Sequence, residues 1–211
     1  MKKLICIVDY GLGNIHSAEQ SIKKVAADSN MLSEIKITSN PSDIKEASHL
    51  VLPGQGAFES CINGLRNING MIDELSEAAI NKQKPFLGIC VGMQLLASKS
   101  YENGEHQGLN WIKGEIKKMP NENIKLPHMG WNEIILKNTK NQLVKVSDKN
   151  DFYFVHSYYF DCKYKENIIA LSNYGIDFAS IISKENIYGV QFHPEKSSVQ
   201  GLEIIKNFIN I

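Results

Sequence analysis

The sequence lacks an excess of either charge, and it lacks long hydrophobic runs. Its 211 residues include 23 basic and 23 acidic ones, which gives a formal net charge of +0. This balance argues against nucleic acid as a partner, because nucleic-acid-binding domains usually carry a basic surplus. The first apolar run, residues 4–8, is too short for the core of a signal peptide or for a membrane span. We therefore expect a cytoplasmic protein without a membrane contact.

The four cysteines form no Cys-x-x-Cys pair, so the usual ligand spacing of a structural zinc site is missing. We expect no metal. Cys6 and Cys162 are expected to pack in or near strands, and Cys61 at the start of a helix. The glycine-rich loop 11–14 lacks the third glycine of a dinucleotide-binding loop, because His16 occupies that position. We therefore expect no cofactor.

Apolar runs alternate with amphipathic stretches in the first hundred residues. The apolar runs predict strands at 4–8, 35–38, 49–52 and 85–87. The amphipathic stretches predict helices at 15–25, from 40 onward, at 58–66 and at 71–82. Asn14 is expected to cap the first of these helices. The order predicts an α/β fold, a three-layer sandwich with a mainly parallel central sheet.

The second half of the chain is richer in β-structure and ends in a helix predicted at about 198–209. Its strands are predicted at 111–118, 131–136, 152–156, 168–173, 178–183 and 187–192. No repeat, linker or low-complexity segment divides the sequence. We therefore expect one domain over residues 1–211.

Cys90 has a glycine two places before it and another two places after it. The stretch reads Gly88-Ile89-Cys90-Val91-Gly92 and follows a predicted strand. Small flanking residues allow the strained turn that presents a nucleophile at a strand end, as G-x-S-x-G does for serine. A helix that starts directly after Cys90 would aim its positive end at the sulfur and favour the thiolate. The alternative is a buried structural cysteine in a strand-to-helix turn.

A second glycine-rich loop, Gly54-Gln55-Gly56, follows the strand predicted at 49–52. We predict that a backbone amide of this loop completes an oxyanion hole together with the amide of Val91. The carboxyl ends of parallel strands lie at one edge of a sheet, so this loop, the turn at Cys90 and the loop 11–14 are expected at one site. The alternative is a glycine-rich turn without a ligand.

His193 and Glu195 lie two residues apart near the end of the last predicted strand. Such residues face the same side in an extended chain. We therefore expect Glu195 to orient His193, which would take a proton from Cys90 and complete a catalytic triad. A surface ion pair is the alternative. The remaining histidines lack a carboxylate two places on, and we expect His128 and His156 to be loop or interface residues.

Several motifs together resemble those of the class I glutamine amidotransferases. Within this family, the sequence most resembles the glutaminase subunits of imidazole glycerol phosphate synthases. The resemblance covers essentially the whole chain. The motifs that carry it occupy residues 53–58, 88–94, 126–132, 153–158 and 189–197. The stretch Pro-His-Met-Gly-Trp-Asn at 127–132 is characteristic of these subunits.

The resemblance implies a glutaminase whose catalytic residues are Cys90, His193 and Glu195. It implies that the oxyanion donors belong to Val91, Gly54, Gln55 and Gly56. It also implies a glutamine pocket lined by Gln94, Glu102, Ser157 and Tyr158. From the residues alone, Glu102 would instead be a solvated loop charge.

The resemblance further implies a heterodimer with a (β/α)8-barrel synthase subunit that uses the ammonia for histidine biosynthesis. The residues expected to face the barrel are Gly11, Gly13, Asn14, Trp131, Tyr153 and Lys196. Two alternatives remain open. The chain could supply ammonia to a different synthase, such as one that aminates a surface-sugar precursor, or it could be a non-catalytic regulatory subunit with the same fold.

Overall fold

A computed structural model describes residues 2–120, 124–145 and 151–211 of the protein. The strands are β1 (Lys3–Val8), β2 (Ser33–Thr38), β3 (His49–Gly54), β4 (Phe86–Cys90), β5 (Lys99–Ser100), β6 (His106–Gln107), β7 (Gly114–Lys118), β8 (His128–Glu133), β9 (Ile135–Leu136), β10 (Asp151–His156), β11 (Tyr158–Cys162), β12 (Ile168–Tyr174), β13 (Ile176–Lys184) and β14 (Ile187–Val190). The α-helices are α1 (Ile15–Asp28), α2 (Pro41–Glu46), α3 (Phe58–Asn67), α4 (Met71–Ser76), α5 (Val91–Gln94) and α6 (Ser198–Ile209).

The central sheet has eight strands in the order β2-β1-β3-β4-β14-β13-β12-β9. The first five of these strands run parallel to one another, whereas the pairs β14–β13, β13–β12 and β12–β9 are antiparallel. Helix α1 packs against α6, and α4 packs against α2 and α3. The predicted α/β sandwich with a mainly parallel central sheet is confirmed.

The inner strands are apolar along their whole length because both faces of the sheet are covered. Ile5, Cys6 and Ile7 of β1 are fully buried, and every residue of β3 and β4 is buried. Strand β2 lies at the edge, and its side chains alternate between exposed and half-buried. This contrast is the one expected between central and edge strands of a parallel sheet.

Strand β14 comes from the end of the chain but lies between β4 and β13. Its register places Val190 opposite Ile89, so β4 and β14 end side by side. The remaining β-structure forms two small sheets, β10-β8 and β11-β7-β5-β6. The turn after β4 and the segment after β14 therefore meet at the carboxyl edge of the central sheet.

Several predicted boundaries in the second half were wrong. The strand predicted from 111 begins at Gly114, because Trp111 packs its ring edge-on against Phe86 instead of pairing with a strand. The strand predicted at 131–136 is divided into β8 and β9, which belong to different sheets. The strand predicted to reach 192 ends at Val190.

Other differences concern short or irregular elements. The helix predicted at 71–82 ends at Ser76 and continues as a π-turn over Glu77–Asn81. The short strands β5 and β6 and the strand β11 were not predicted. The final helix was predicted correctly, and the packing predicted for three cysteines is confirmed: Cys6 and Cys61 are fully buried, and Cys162 is half-buried in β11.

Within the described ranges, no helix has the length and apolar character needed to cross a membrane.

Candidate active site

Cys90 occupies a strained turn at the end of β4. Its backbone has φ 55° and ψ −112°, a region that residues with a Cβ rarely adopt. Neighbouring glycines allow the chain to pack closely around this turn: a Cβ on Gly92 would collide with the carbonyl of Leu52, and one on Gly88 would collide with the carbonyl of Gly92. The sequence pattern thus predicted the strained geometry at Cys90 correctly.

The helix that follows Cys90 is much shorter than expected. Helix α5 contains only the four residues Val91–Gln94. A single helical turn carries a small dipole, because the macrodipole sums over aligned peptide units. The helix does begin directly after Cys90 as predicted, but only the backbone N–H groups of one turn lie near the sulfur.

His193 and Glu195 form a buried pair beside Cys90. The distance from His193 Nδ1 to Glu195 Oε1 is 2.9 Å, and the two side chains are 6% and 2% exposed. The sequence analysis expected this pair because residues two apart face the same side of an extended chain. That reason was wrong, because Glu195 lies in the 3-10 turn Pro194–Lys196. Asn14 occupies the N-cap position of α1 as predicted, but its side chain makes no capping hydrogen bond, and its side-chain amide donates instead to Glu195 Oε1 at 3.4 Å.

The surroundings of His193 favour its charged form. Burial by itself lowers the pKa of His193, but hydrogen bonds and charge interactions with Cys90 and Glu195 outweigh burial and raise the pKa to about 10. An imidazolium held between a sulfur and a carboxylate is the arrangement that stabilises a cysteine thiolate.

Ser197 anchors the turn that carries His193, and sequence analysis did not identify this role. Its hydroxyl donates to the His193 carbonyl at 2.6 Å and accepts from the Tyr153 amide at 2.9 Å. The His193 amide donates in turn to the Tyr153 carbonyl at 2.9 Å. These three bonds attach the histidine to β10. The position of Ser197, two residues after Glu195 in the same motif, was the available signal.

A cavity of about 390 Å³ opens in front of the sulfur. Cys90 and His193 line it, whereas Glu195 lies behind His193 and Gly54 lies beneath Val91. The other predicted residues that line it are Gln55, Gly56, Val91, Gln94, Glu102, Ser157, Tyr158 and Lys196. The structure therefore brings together the predicted nucleophile, its base, the oxyanion residues other than Gly54, and all four predicted pocket residues.

Gln191 holds Gln94 in the wall of this cavity, and sequence analysis missed it. The Gln94 side-chain amide donates to Gln191 Oε1 at 3.1 Å and to the Tyr158 carbonyl at 3.2 Å. The amide nitrogen of the Gln191 side chain also lies 3.8 Å from Cys90 Sγ. Gln191 is fully buried between β14 and His193, where a polar side chain requires such partners.

Glu102 is not a solvated loop charge. Its Oε2 accepts the backbone N–H of Phe58 at 2.7 Å, at the start of α3, and the residue is half-buried in the cavity wall. The contact fixes one carboxylate oxygen. The carboxylate lies in the wall of the cavity that Cys90 also lines, where it suits an ammonium group of a ligand.

His128 and His156 are neither loop nor interface residues, as had been predicted. They are opposite residues of β8 and β10, and their rings form a buried hydrogen bond of 2.9 Å between His128 Nδ1 and His156 Nε2. His156 Nδ1 donates to the Tyr158 carbonyl at 2.8 Å. The pair therefore supports the wall of the cavity at Ser157 and Tyr158.

Several of the residues predicted to face a partner contact the catalytic pair or its surroundings. Trp131 is 55% exposed and meets the ring of Tyr153 edge-on at 6.0 Å. Lys196 is exposed and also lines the cavity. The remaining members are Gly11, Gly13 and Asn14, of which Gly11 is exposed and Asn14 reaches Glu195. The structure thus places Asn14, Tyr153 and Lys196 beside the catalytic pair.

Within the described residues, no group of three or more His, Cys, Asp or Glu side chains is arranged to hold a metal ion.

Comparison with known proteins agrees with this geometry. The family model "Glutamine amidotransferase class-I" matches residues 6–211. The chain belongs to the class I glutamine amidotransferases. The predicted family is confirmed, and the matched region includes the turn at Cys90 and the pair of His193 and Glu195.

Curated members of this amidotransferase family match over nearly the full length. One from Pelagibacter ubique is 44% identical over 209 residues, covering 98% of this chain and 99% of its own length. One from Rhodospirillum rubrum is 40% identical over 208 residues, covering 97% of both chains. Both are named imidazole glycerol phosphate synthase subunit HisH.

Solved amidotransferase structures share the fold at low sequence identity. A crystal structure of a glutamine amidotransferase has a TM-score of 0.72 at 14% identity and covers 97% of both chains. A second glutamine amidotransferase, from Thermotoga maritima, has a TM-score of 0.62 at 18% identity, covering 92% of this chain and 76% of its own.

Proposed function

We propose that this chain is the glutaminase subunit of an imidazole glycerol phosphate synthase and hydrolyses glutamine to glutamate and ammonia. The observation that carries the proposal is the placement of Cys90, His193 and the Glu102 carboxylate around one cavity. The identity of 37–44% to curated relatives with that subunit name supports it.

In the first half of the reaction, the Cys90 thiolate attacks the side-chain amide carbon of glutamine. The oxygen of that amide becomes an oxyanion, which is stabilised by the amide of Val91 and by one amide of the loop 54–56. His193 donates its proton to the amide nitrogen as the carbon–nitrogen bond breaks. Ammonia leaves, and a γ-glutamyl thioester remains on Cys90.

In the second half, neutral His193 removes a proton from water. The resulting hydroxide adds to the thioester carbon, and the carbon–sulfur bond breaks. Glutamate departs, and the Cys90 side chain is again a thiolate beside protonated His193. Glu195 holds His193 by its Nδ1 at 2.9 Å, so that the other ring nitrogen faces the sulfur. Glu195 is therefore the orienting member of the triad.

Four residues are proposed to hold the glutamine: Gln94, Glu102, Ser157 and Tyr158. All four line the cavity in front of Cys90. Glu102 supplies the negative charge for the α-ammonium group, because one of its oxygens is held by Phe58 and the carboxylate faces the cavity. Gln94 is positioned by Gln191 and Tyr158 rather than free to rotate.

The partner is proposed to be a (β/α)8-barrel synthase subunit that receives the ammonia. Free ammonia is protonated and lost in water, so the two active sites need to communicate through the interface. The surface around Trp131, Tyr153 and Lys196 lies beside the catalytic pair, which supports docking there.

We further infer that residues 1–211 form a single domain, since β14 lies between β4 and β13. The four free cysteines fit a reducing cytoplasm.

The loop 54–56 is proposed to gate activity. Gly54 is packed closely against Val91 and Gly92, whereas Gly56 has φ +99° and a Cβ there would meet no atom within 4 Å, so the loop is held at Gly54 and open at Gly56. We infer that its oxyanion amide turns towards the cavity only when the liganded partner is bound. The isolated chain is then expected to hydrolyse glutamine slowly.

The test measures glutamine hydrolysis by the purified chain, alone and with the barrel partner and its nucleotide ligand. We expect a large rise on adding the liganded partner, and a loss of at least about a thousandfold in Cys90→Ala. Cys162→Ala is the matched control, because Cys162 is half-buried away from the cavity. A diazoketone analogue of glutamine is expected to modify Cys90 and to spare the other cysteines.

Each alternative gives a distinct result. No rise with the barrel partner, together with labelling of Cys90, would keep the glutaminase but point to a different acceptor synthase. Absence of both hydrolysis and labelling would contradict the proposal as a whole. Fast hydrolysis by the isolated chain would refute the gating.

A further inference from the structure

Tyr10 connects the loop after β1 to the end of β3. Its ring is buried, with 6% of the residue exposed, and its hydroxyl donates to the Pro53 carbonyl at 2.7 Å. The β1–β3 ladder extends only as far as the pair of Ile7 and Val51. The Tyr10 hydroxyl therefore supplies a donor to β3 at a position that the ladder does not reach.

Cys61 makes a corresponding contact on the other side of the loop. It lies in the first turn of α3, is fully buried, and its Sγ donates to the Gln55 carbonyl at 3.5 Å. The Tyr10 hydroxyl and the Cys61 thiol also contact each other. Burial raises the pKa of both groups, so each retains the proton that it donates.

These two bonds hold the two peptides on either side of the peptide that joins Gly54 to Gln55. The Pro53 carbonyl belongs to the peptide before it, and the Gln55 carbonyl belongs to the peptide after it. Rotation of either neighbour would break a side-chain hydrogen bond. Rotation of the Gly54–Gln55 peptide itself would break neither, because neither bond uses its atoms.

We propose that Tyr10 and Cys61 are positioning residues for the oxyanion hole, which fix the flanking peptides so that the Gly54–Gln55 peptide alone turns into the cavity. The proposal rests on the proposed glutaminase function. Neither side chain lines the cavity, so both act through the backbone of the loop. A donor held in one place before the reaction stabilises an oxyanion better than one spread over several loop conformations.

The same contacts give the loop 11–14 a direct route to the oxyanion loop. Tyr10 immediately precedes Gly11, and a Cβ on Gly13 would lie 3.2 Å from the Pro53 carbonyl oxygen. Helix α3 closes over Tyr10 at Gly64, where a Cβ would lie 2.8 Å from the Tyr10 carbonyl oxygen. A displacement of the loop 11–14 by a partner would therefore move the donor that holds Pro53.

The test compares Tyr10→Phe, Cys61→Ala and Cys61→Ser in the complex with the barrel partner. Loss of a positioning hydrogen bond is expected to lower kcat for glutamine hydrolysis about tenfold, with KM unchanged, because the oxyanion exists only after the attack. Cys61→Ser retains a donor and is expected to recover most of the kcat lost in Cys61→Ala. Tyr174→Phe is the matched control, since it removes a tyrosine hydroxyl that donates to the Lys125 carbonyl at 2.7 Å.

The outcomes separate this inference from the proposed function. If wild type is active and labelled at Cys90 but Tyr10→Phe and Cys61→Ala retain the kcat of Tyr174→Phe, the positioning role is overturned. A rise in KM at constant kcat would also overturn it. If wild type is neither active nor labelled, the glutaminase assignment itself fails. Thermal midpoints close to that of Tyr174→Phe exclude misfolding as the cause of a lower kcat.

Discussion

Cys90 is the last residue of β4, and its backbone adopts φ 55° and ψ −112° in the turn between β4 and α5. A residue with a Cβ in a sparsely populated region costs about 1–3 kcal/mol, which the surrounding packing has to offset. The sequence predicted this residue well, because glycine at 88 and 92 leaves room for the turn. The role of Gln191 was not predictable in the same way, since its contacts with Gln94 and Cys90 join distant parts of the chain.

This strain predicts an unusual order of stability for two inactive variants. Glycine usually destabilises a folded chain by about 0.5–1 kcal/mol relative to alanine. At position 90 we expect the reverse, with Cys90→Gly more stable than Cys90→Ala by about 1 kcal/mol, because glycine relieves the positive φ. Urea unfolding of both variants measures the difference. A higher stability of Cys90→Ala would show that the turn is unstrained.

At the level of elements, the two-stranded sheet of β8 and β10 presents different chemistry on its two faces. His128 and His156 point into the protein and support the cavity wall, whereas Met129 and Trp131 are 62% and 55% exposed. Residues alternate between the faces of a strand, so one short strand serves both surfaces. Strand β8 was predicted to begin at residue 131, three residues after its actual start. His128 was therefore not assigned to a strand, and its pairing with His156 was not predicted.

The exposed face predicts a measurable role in docking. We expect Trp131→Ala to weaken binding of the barrel partner about 30-fold, equivalent to roughly 2 kcal/mol, because a central tryptophan often dominates an interface. Leu32→Ala is the control, since Leu32 is 71% exposed between α1 and β2. Titration calorimetry against the barrel partner measures both affinities. Equal affinities of the two variants would place the interface elsewhere.

At the level of the whole molecule, three histidines are buried without charge. Burial lowers the pKa of His49 and of His128 to about 4, and that of His156 to about 3. In the unfolded chain, a histidine takes up its proton near a pH of about 6.5. Between these values the unfolded state binds more protons than the folded state, so the free energy of unfolding falls as the pH falls.

This difference predicts acid sensitivity that single replacements should reduce. Each histidine contributes about 1.4 kcal/mol per pH unit to the slope between roughly pH 6 and pH 4. His49→Gln is expected to lower the slope of unfolding free energy against pH by about 1.4 kcal/mol per pH unit. His16→Gln, whose parent side chain is 91% exposed, is the surface control. Urea unfolding at several pH values provides the slopes, and identical slopes for all three proteins would contradict the assignment.

The fold class followed from the sequence because alternation of strands and helices is a local property. The position of β14 did not, because a strand near the end of the chain is inserted beside β4 through long-range pairing. The turn that carries Glu195 was not predicted either, because the local sequence pattern favoured an extended chain there.

The side-by-side ends of β4 and β14 have a consequence for how the chain is made. Gln191, next to the base, is 101 positions from Cys90, and the base follows the nucleophile in the order of synthesis. We expect pairing over such a distance to form after the local contacts, because closing a longer loop costs more entropy. A chain truncated before residue 187 carries the Cys90 thiol without the His193 imidazole. Such a truncated chain lacks the base that the reaction needs, and therefore cannot release ammonia from glutamine.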